Sequence, residues 1–123
     1  MTEFWIDYKI TGTDSLNSIY SGKHFSNRKN YVNAVKILVA SQMKRQIRKK
    51  IYKNPVIISI SFPEDRLDID NHSYFSKCVI DSLKGYLIAD DGPKHVYGVV
   101  QVFDAKLKRI LVQVSEFDGE ENY

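Results

Sequence analysis

The sequence predicts a single α+β domain spanning residues 1–123, with elements in the order β-α-β-α-β-β and two helices packed on a mixed sheet. Its length of 123 residues suits one domain with one core. Its apolar fraction of 43% is typical of a folded globular protein rather than a disordered chain. Strand-like and helix-like periodicities alternate along the chain, and two strand-like runs close it, which indicates the α+β class.

The N-terminal segment predicts a strand from Glu3 to Ile10, because Phe4 and Ile6 alternate with more polar positions. Residues 11–14 (TGTD) predict a turn. Residues 15–25 have no clear period, and we expect an ordered loop there. Four groups in this loop could contact a ligand, although a structural or exposed position is the simpler interpretation: Asn17, Tyr20, Lys23 and His24.

A long amphipathic helix is predicted from Asn27 to about Tyr52, with Ser26 as its N-cap. Apolar residues recur along it every three to five positions: Tyr31, Val35, Leu38, Met43, Ile47 and Ile51. Its last turns carry a basic block, defined as Lys44, Arg45, Arg48, Lys49, Lys50 and Lys53. Cations are favoured at a helix C-terminus, so a solvated helix end explains the block, and binding to a polyanion is the functional alternative.

A central strand is predicted from Val56 to Phe62, because its isoleucines fall on both faces. Asp68 and Asp70 follow it. If the strand continued through them, their side chains would point the same way, since strand side chains alternate. Adjacent carboxylates repel each other unless a cation lies between them, which suggests a divalent metal, and ordinary turn and cap chemistry is the alternative.

A second helix is predicted after Asn71 or Ser73, with Phe75, Val79 and Leu83 as its buried stripe. We expect the helix to end at Gly85. A short apolar link, residues 86–89, then leads into a turn at residues 90–93 (DDGP).

The C-terminal part predicts two strands joined as a hairpin. The first runs from His95 to Asp104, residues 105–108 form the hairpin turn, and the second runs from Arg109 to Ser115. The tail at residues 117–123 is acidic, and we expect it to fray.

Cys78 is the only cysteine, so no intrachain disulfide can form, which favours a reducing cytosol. The first residues lack the charged and apolar regions of a signal peptide, and no apolar run approaches the length of a membrane span. We therefore expect a soluble cytoplasmic protein. The formal charge of +3 is modest, and the concentration of cations in the basic block is more informative.

Calcium and zinc are both excluded as the expected metal. A calcium loop that began at Asp68 would need glycine and glutamate at the positions of Ser73 and Val79. No CxxC or HExxH motif is present, and structural positions are expected for His24, His72 and His95.

Oxygen ligands suit magnesium or manganese. Asp68, Asp70 and either Asp90 or Asp91 could form such a site if the two ends of this stretch meet in space. Lys77, on the intervening helix, could then neutralise charge that develops on a phosphate.

These residues also form an ordered motif: Arg66-x-Asp68-x-Asp70-Asn71, then Lys77-x-x-x-Asp81-x-Leu83, then Gly85 and an apolar link into Asp90-Asp91. The motif resembles the RusA family of Holliday junction resolvases. The resemblance extends to Ser15-x-Asn17-x-x-Tyr20 and covers most of the chain.

The resemblance implies a magnesium-dependent endonuclease, with manganese as a substitute, that acts in DNA recombination and repair. Such enzymes are homodimers, common in phages and prophages, that nick both strands of a four-way junction through a metal-activated water. The family's catalytic carboxylates would correspond to Asp68, Asp70 and Asp91, with Asp90 beside them, and its lysine to Lys77. Arg66, Asn71 and the basic block would contact DNA.

Two departures from the family pattern concern the lysine and its surroundings. The family lysine usually follows the second aspartate by four residues, a position held here by Tyr74, so residues 72–74 are interpreted as an insertion. Leu67 precedes Asp68 where a basic residue is common in the family.

Three other functions remain open. A RusA-like module could hold branched DNA or a protein without cutting, a less selective nuclease could act on flaps or forks, and the aspartates could only cap turns.

Overall fold

The structure, a computed structural model, describes residues 1–16 and 25–117, and for residues 25–27 only the backbone. Its elements are β1 (Thr2–Ile6), α1 (Phe25–Gln46), β2 (Val56–Phe62), α2 (Ser73–Leu83), β3 (Val96–Phe103) and β4 (Ile110–Glu116), with 3₁₀ turns at Gly12–Asp14 and Ile69–His72. The predicted α+β class, with a mixed sheet and two helices, is confirmed. No helix in the described ranges has the length and apolar character to cross a membrane. The candidate ligand-contacting residues at 17–24 and the tail beyond residue 117 lie outside the described residues.

The sheet has the order β1-β4-β2-β3, and β2 is central, as predicted. Strand β4 pairs antiparallel with β1 and β2, whereas β3 pairs parallel with β2. The predicted hairpin between the last two strands is therefore wrong, because they lie on opposite sides of β2. Helix α2 is the crossover that returns the chain parallel to β2, and Ile110, Val112 and Val114 of β4 are buried inside the sheet.

One face of the sheet packs against both helices and forms the core. Fully or nearly fully buried residues come from both helices and from every strand except β3: Phe4 and Ile6 of β1, Val35, Val39 and Met43 of α1, Ile58, Ile60 and Phe62 of β2, Phe75, Val79 and Leu83 of α2, and Val112 of β4. The predicted stripe of α2 is confirmed, and Gly85 follows that helix with a φ of 78°, a backbone conformation that glycine adopts readily.

Helix α1 ends at Gln46, earlier than the predicted end near Tyr52. The chain beyond it bonds instead to the link after α2. The N–H groups of Lys50 and Tyr52 donate to the carbonyls of Tyr86 and Leu87 (2.9 and 3.0 Å). Tyr86 also donates its hydroxyl to the Ile47 carbonyl (2.6 Å), which satisfies a carbonyl at the end of α1.

Strand β1 is shorter than predicted, and its outer edge is covered by two glutamines of α1. The side chain of Gln46 accepts from the Trp5 N–H and donates to the Trp5 carbonyl (2.7 Å each). The side chain of Gln42 makes the same pair of contacts with Asp7 (2.7 and 3.3 Å). These amides replace the hydrogen bonds that a further strand would make.

The described residues contain a buried carboxylate, Asp14, that is 1% exposed. It accepts hydrogen bonds from the hydroxyls of Tyr8 (2.6 Å) and Tyr31 (2.8 Å) and from the N–H of Thr11 (2.8 Å). Burial, and after it the neighbouring Asp14 carboxylate, raises the pKa of both tyrosines above the usual value of 10.0. This cluster joins β1 to α1.

The tyrosine pair predicts a loss of stability in alkali. The unfolded chain releases the tyrosine protons above pH 10.0, whereas the folded chain retains them. The free energy of unfolding, measured by urea denaturation, should therefore fall as the pH rises above 10. The double variant Tyr8→Phe, Tyr31→Phe should show a shallower fall over the same interval. An equal slope in the variant would contradict the assignment.

Candidate functional site

Asp68 and Asp70 lie in the connection between β2 and α2, beyond the end of the strand at Phe62. Asp68 is the N-cap residue of the second 3₁₀ turn, and Asp70 lies within that turn. Both side chains are exposed. The condition under which they would share a strand face is therefore not met, because β2 ends at Phe62 and a turn sets the direction of both side chains.

His72 fixes this turn to the core. Its side chain is fully buried, with Nε2 2.7 Å from Asp65 Oδ2 and Nδ1 2.9 Å from the Asp68 carbonyl. A carbonyl only accepts hydrogen bonds, so Nδ1 carries a proton. The ring also packs against Phe62 and Phe103, with centroid distances of 4.6 and 5.1 Å. The backbone that carries Asp68 is thus held by a buried side chain.

A groove between α2 and β3 contains both ends of the stretch singled out by the sequence. Its volume is about 320 Å³, and its lining residues are Ser73, Ser76, Lys77, Ile80, Asp81, Asp91, Val96, Val99 and Gln101. Lys77 and Asp91, which the sequence assigned to one site, therefore lie on one surface. We call this surface the α2–β3 groove.

Alternating charges cross the groove. Asp81 lies 3.4 Å from the amine of Lys77 and 3.4 Å from that of Lys84, and the Lys84 amine lies 3.0 Å from Asp91. Asp81 raises the pKa of Lys77, and the hydrogen bond with Lys84 lowers the pKa of Asp91. The same bond raises the pKa of Lys84. The Lys84 ammonium thus occupies the space between the two carboxylates.

Polar contacts attach the first turns of α2 to β3. Ser76 donates its hydroxyl to Gln101 Oε1 (2.5 Å), and the Gln101 amide donates to the Ser73 hydroxyl (3.3 Å). Tyr74, in the proposed insertion, packs beside Tyr31 with a centroid distance of 6.0 Å. These contacts set the rotation of α2, which leaves Lys77 with 66% of its side chain exposed at the groove.

The remaining predicted site residues lie outside this groove lining. Asp90 is exposed, and its side chain accepts from the Asp91 N–H (2.8 Å). Arg66 lines a separate concavity of about 640 Å³ with Lys9 and Glu64. Asn71 is half-buried in the 3₁₀ turn. Within residues 1–16 and 25–117, no three histidine, cysteine, aspartate or glutamate side chains group closely enough to hold a metal ion.

The basic block is divided between two kinds of backbone. Lys44 and Arg45 lie in the last turn of α1, where the helix dipole favours cations. The other four lie in the irregular segment before β2: Arg48, Lys49, Lys50 and Lys53. All six side chains are exposed, and the Lys50 amine lies over the Tyr52 ring at 4.8 Å.

Sequence reasoning missed several residues in the groove or in contact with its lining. Lys84 was unassigned, although its spacing of three residues from Asp81 is that of a helical ion pair. Asp81 had entered only as part of the family motif. Gln101 carried no detectable signal, because a single polar residue in an apolar strand could equally have faced solvent.

Comparison with known proteins identifies no relative: no family model, no curated protein and no solved structure matches this chain.

The buried position of His72 predicts a large effect on stability. His72→Ala should lower the free energy of unfolding by about 3 kcal/mol, because it leaves a cavity and removes two buried hydrogen bonds. His95→Ala, at a half-buried position, should cost less than about 1 kcal/mol. Urea denaturation of both variants measures the difference, and equal losses would contradict a special position for His72.

Proposed function

We propose that this protein is a magnesium-dependent, structure-selective endonuclease that resolves four-way DNA junctions as a homodimer in the bacterial cytoplasm. The observation that supports it best is that Lys77 and Asp91 both line the α2–β3 groove. The resemblance to RusA resolvases assigns chemistry to both residues, and they are distant in sequence. Two side chains that act on the same phosphate must lie on one surface, as Lys77 and Asp91 do.

The groove has the chemistry for a magnesium ion with few protein ligands. Magnesium is often held by one or two carboxylates, with water and substrate phosphate oxygens as its other ligands. Asp81 and Asp91 both lie within 3.4 Å of one cation, the Lys84 amine. When bound, magnesium would polarise the phosphate and assist the activation of water.

The chain's own residues would bind the substrate and neutralise its negative charge. Lys77 is largely exposed and would approach a phosphate that enters the groove, where its charge would stabilise the transition state. Ser73 and Ser76 would offer hydroxyls beside it. The basic block would bind neighbouring phosphates without regard to base sequence.

The ion pairs of the groove favour a second candidate, a module that binds branched DNA without cleaving it. Asp91 is already bound to Lys84, and Lys77 is bound to Asp81. Carboxylates neutralised by lysines attract a divalent cation less strongly. This candidate predicts junction binding that is independent of magnesium.

Asp81→Asn and Asp91→Asn should each slow the cleavage of a synthetic four-way junction in magnesium by about 100-fold or more, because each removes a charge from the groove where the phosphate would react. Glu3→Gln is the matched control, since Glu3 is an exposed carboxylate on β1, at the opposite edge of the sheet from β3. It should cleave as the wild-type protein does.

Three outcomes separate the candidates. Binding without nicking by the wild-type protein would favour the non-cleaving module. Equal cleavage of linear duplex would contradict selectivity for junctions and favour a flap or fork nuclease. Normal cleavage by Asp91→Asn would show that the assigned site is wrong.

Lys49→Ala should weaken binding to four-way and linear DNA alike. It should also reduce the slope of log affinity against log salt concentration by about 0.9, the contribution of one phosphate contact. Lys29→Ala, at the other end of α1, is the control with the same chemical change and should leave the slope unaltered. A fluorescence anisotropy titration at several salt concentrations measures both. An unchanged slope for Lys49→Ala would exclude that residue from the DNA surface.

A further inference from the structure

Strand β3 is an edge strand with no charged residue in its eight positions, VYGVVQVF. Large apolar side chains are exposed on it, among them Val100 (46%) and Val102 (40%). Its register with β2 places Val99 and Phe103 on the helix side of the sheet and Val100 and Val102 on the other side. Neutral, apolar edges readily pair with another strand.

The backbone of this edge is available for such pairing. The Asp104 N–H donates to the Phe62 carbonyl of β2 (2.8 Å). Because backbone groups alternate in direction along a strand, the N–H and C=O groups of Val99, Gln101 and Phe103 point away from β2. No residue in the described part of the chain hydrogen-bonds to them.

The opposite edge of the same sheet is protected. Gln46 of α1 bonds to the backbone of β1 at Trp5, Gln42 bonds to Asp7 directly after the strand, and β1 contains the charged residue Glu3. One edge is therefore closed by side chains that take the place of a strand, and the other has no such cover within the described residues.

We propose that β3 pairs antiparallel with β3 of a second copy of this chain, so that the two sheets form one continuous sheet about a two-fold axis. Identical strands in antiparallel order present the same backbone pattern to each other, which makes the edge self-complementary. Apolar side chains then meet apolar side chains on both faces.

The charges that flank β3 also fit a second copy in this orientation. Lys94 precedes the strand and Asp104 follows it, and these are the nearest charged residues on each side. Antiparallel pairing brings Lys94 of one copy to the end of the strand where its partner has Asp104, and this happens twice by symmetry. Parallel pairing would instead bring like charges together.

This pairing rests on the homodimer of the proposed function, and it adds the surface through which the two copies would associate. It rests on the sheet edge and holds whether or not the groove cleaves DNA. Because Val96, Val99 and Gln101 also line the α2–β3 groove, the two grooves would lie beside the new strand pair. A duplex arm could then contact both.

Analytical ultracentrifugation of the full chain tests the pairing. The wild-type protein should sediment as a dimer of the 14.3 kDa chain at micromolar concentration. Val102→Lys should raise the dimer dissociation constant by about tenfold or more, because it places two lysines in the new strand pair. Ile37→Lys is the matched control, since Ile37 is an apolar residue 70% exposed on α1, and it should leave the dimer unaltered.

A charge exchange distinguishes this dimer from other uses of the edge. Lys94→Asp and Asp104→Lys should each weaken the dimer by about threefold to tenfold, and the double variant should recover most of the loss. Thermal melts of each variant confirm that the fold is retained.

Two results would overturn the proposal. The first is a wild-type monomer at all concentrations, which would leave the edge to a strand from another protein. The second is a dimer that Val102→Lys and the two charge reversals do not weaken. The first result would also remove the homodimer from the proposed function, the second would overturn only this pairing, and failure of junction cleavage alone would leave these measurements unaffected.

Discussion

The central strand β2 is the constraint on which the rest of this structure depends. It pairs antiparallel with β4 on one side and parallel with β3 on the other. Parallel pairing requires a crossover, which helix α2 supplies, and the crossover delivers Lys77 and Asp91 to the groove beside β3. Phe62, at the end of β2, also packs on His72 and thereby fixes the turn that carries Asp68 and Asp70.

Local patterns in the sequence were sufficient to predict the helices and strands whose buried residues recur at a regular spacing. Helix α2 is an example, since Phe75, Val79 and Leu83 recur every four residues and are all fully buried. Strand β2 is another, because isoleucine on both of its faces indicated a central position. These patterns reflect the burial of apolar surface. Its contribution to stability is large and roughly proportional to the area buried along a segment.

Features that depend on partners distant in sequence could not be predicted in this way. The end of α1 is set by backbone bonds from Lys50 and Tyr52 to the link after α2. The prediction of a hairpin between the last two strands was wrong for the same reason. Strand β4 inserts between β1 and β2, and no local pattern in residues 104–109 indicates that position. The turn that carries the aspartates after β2 could not be predicted, because the contact between His72 and Asp65 that fixes it joins residues seven positions apart. In the groove, the presence of both Lys77 and Asp91 was expected from the order of the motif, whereas Gln101 emerged only from the tertiary structure.

The α2–β3 groove and the free edge of β3 share a cause. The sheet has four strands in the order β1-β4-β2-β3, with two helices on one face. Of its two edge strands, β3 is covered least by the helices. At β1, helix α1 supplies Gln42 and Gln46 to satisfy the backbone, because the helix runs alongside that edge. At β3, helix α2 has only eleven residues and contacts the strand through Ser73 and Ser76 near its start. The space left beside the later turns of α2 is the groove, where Lys77, Asp81 and Asp91 lie. The incomplete cover that creates a polar groove on one side of β3 therefore also leaves its outer edge open within the described residues, so the proposed ligand site and the proposed pairing surface have a common origin in the short crossover helix.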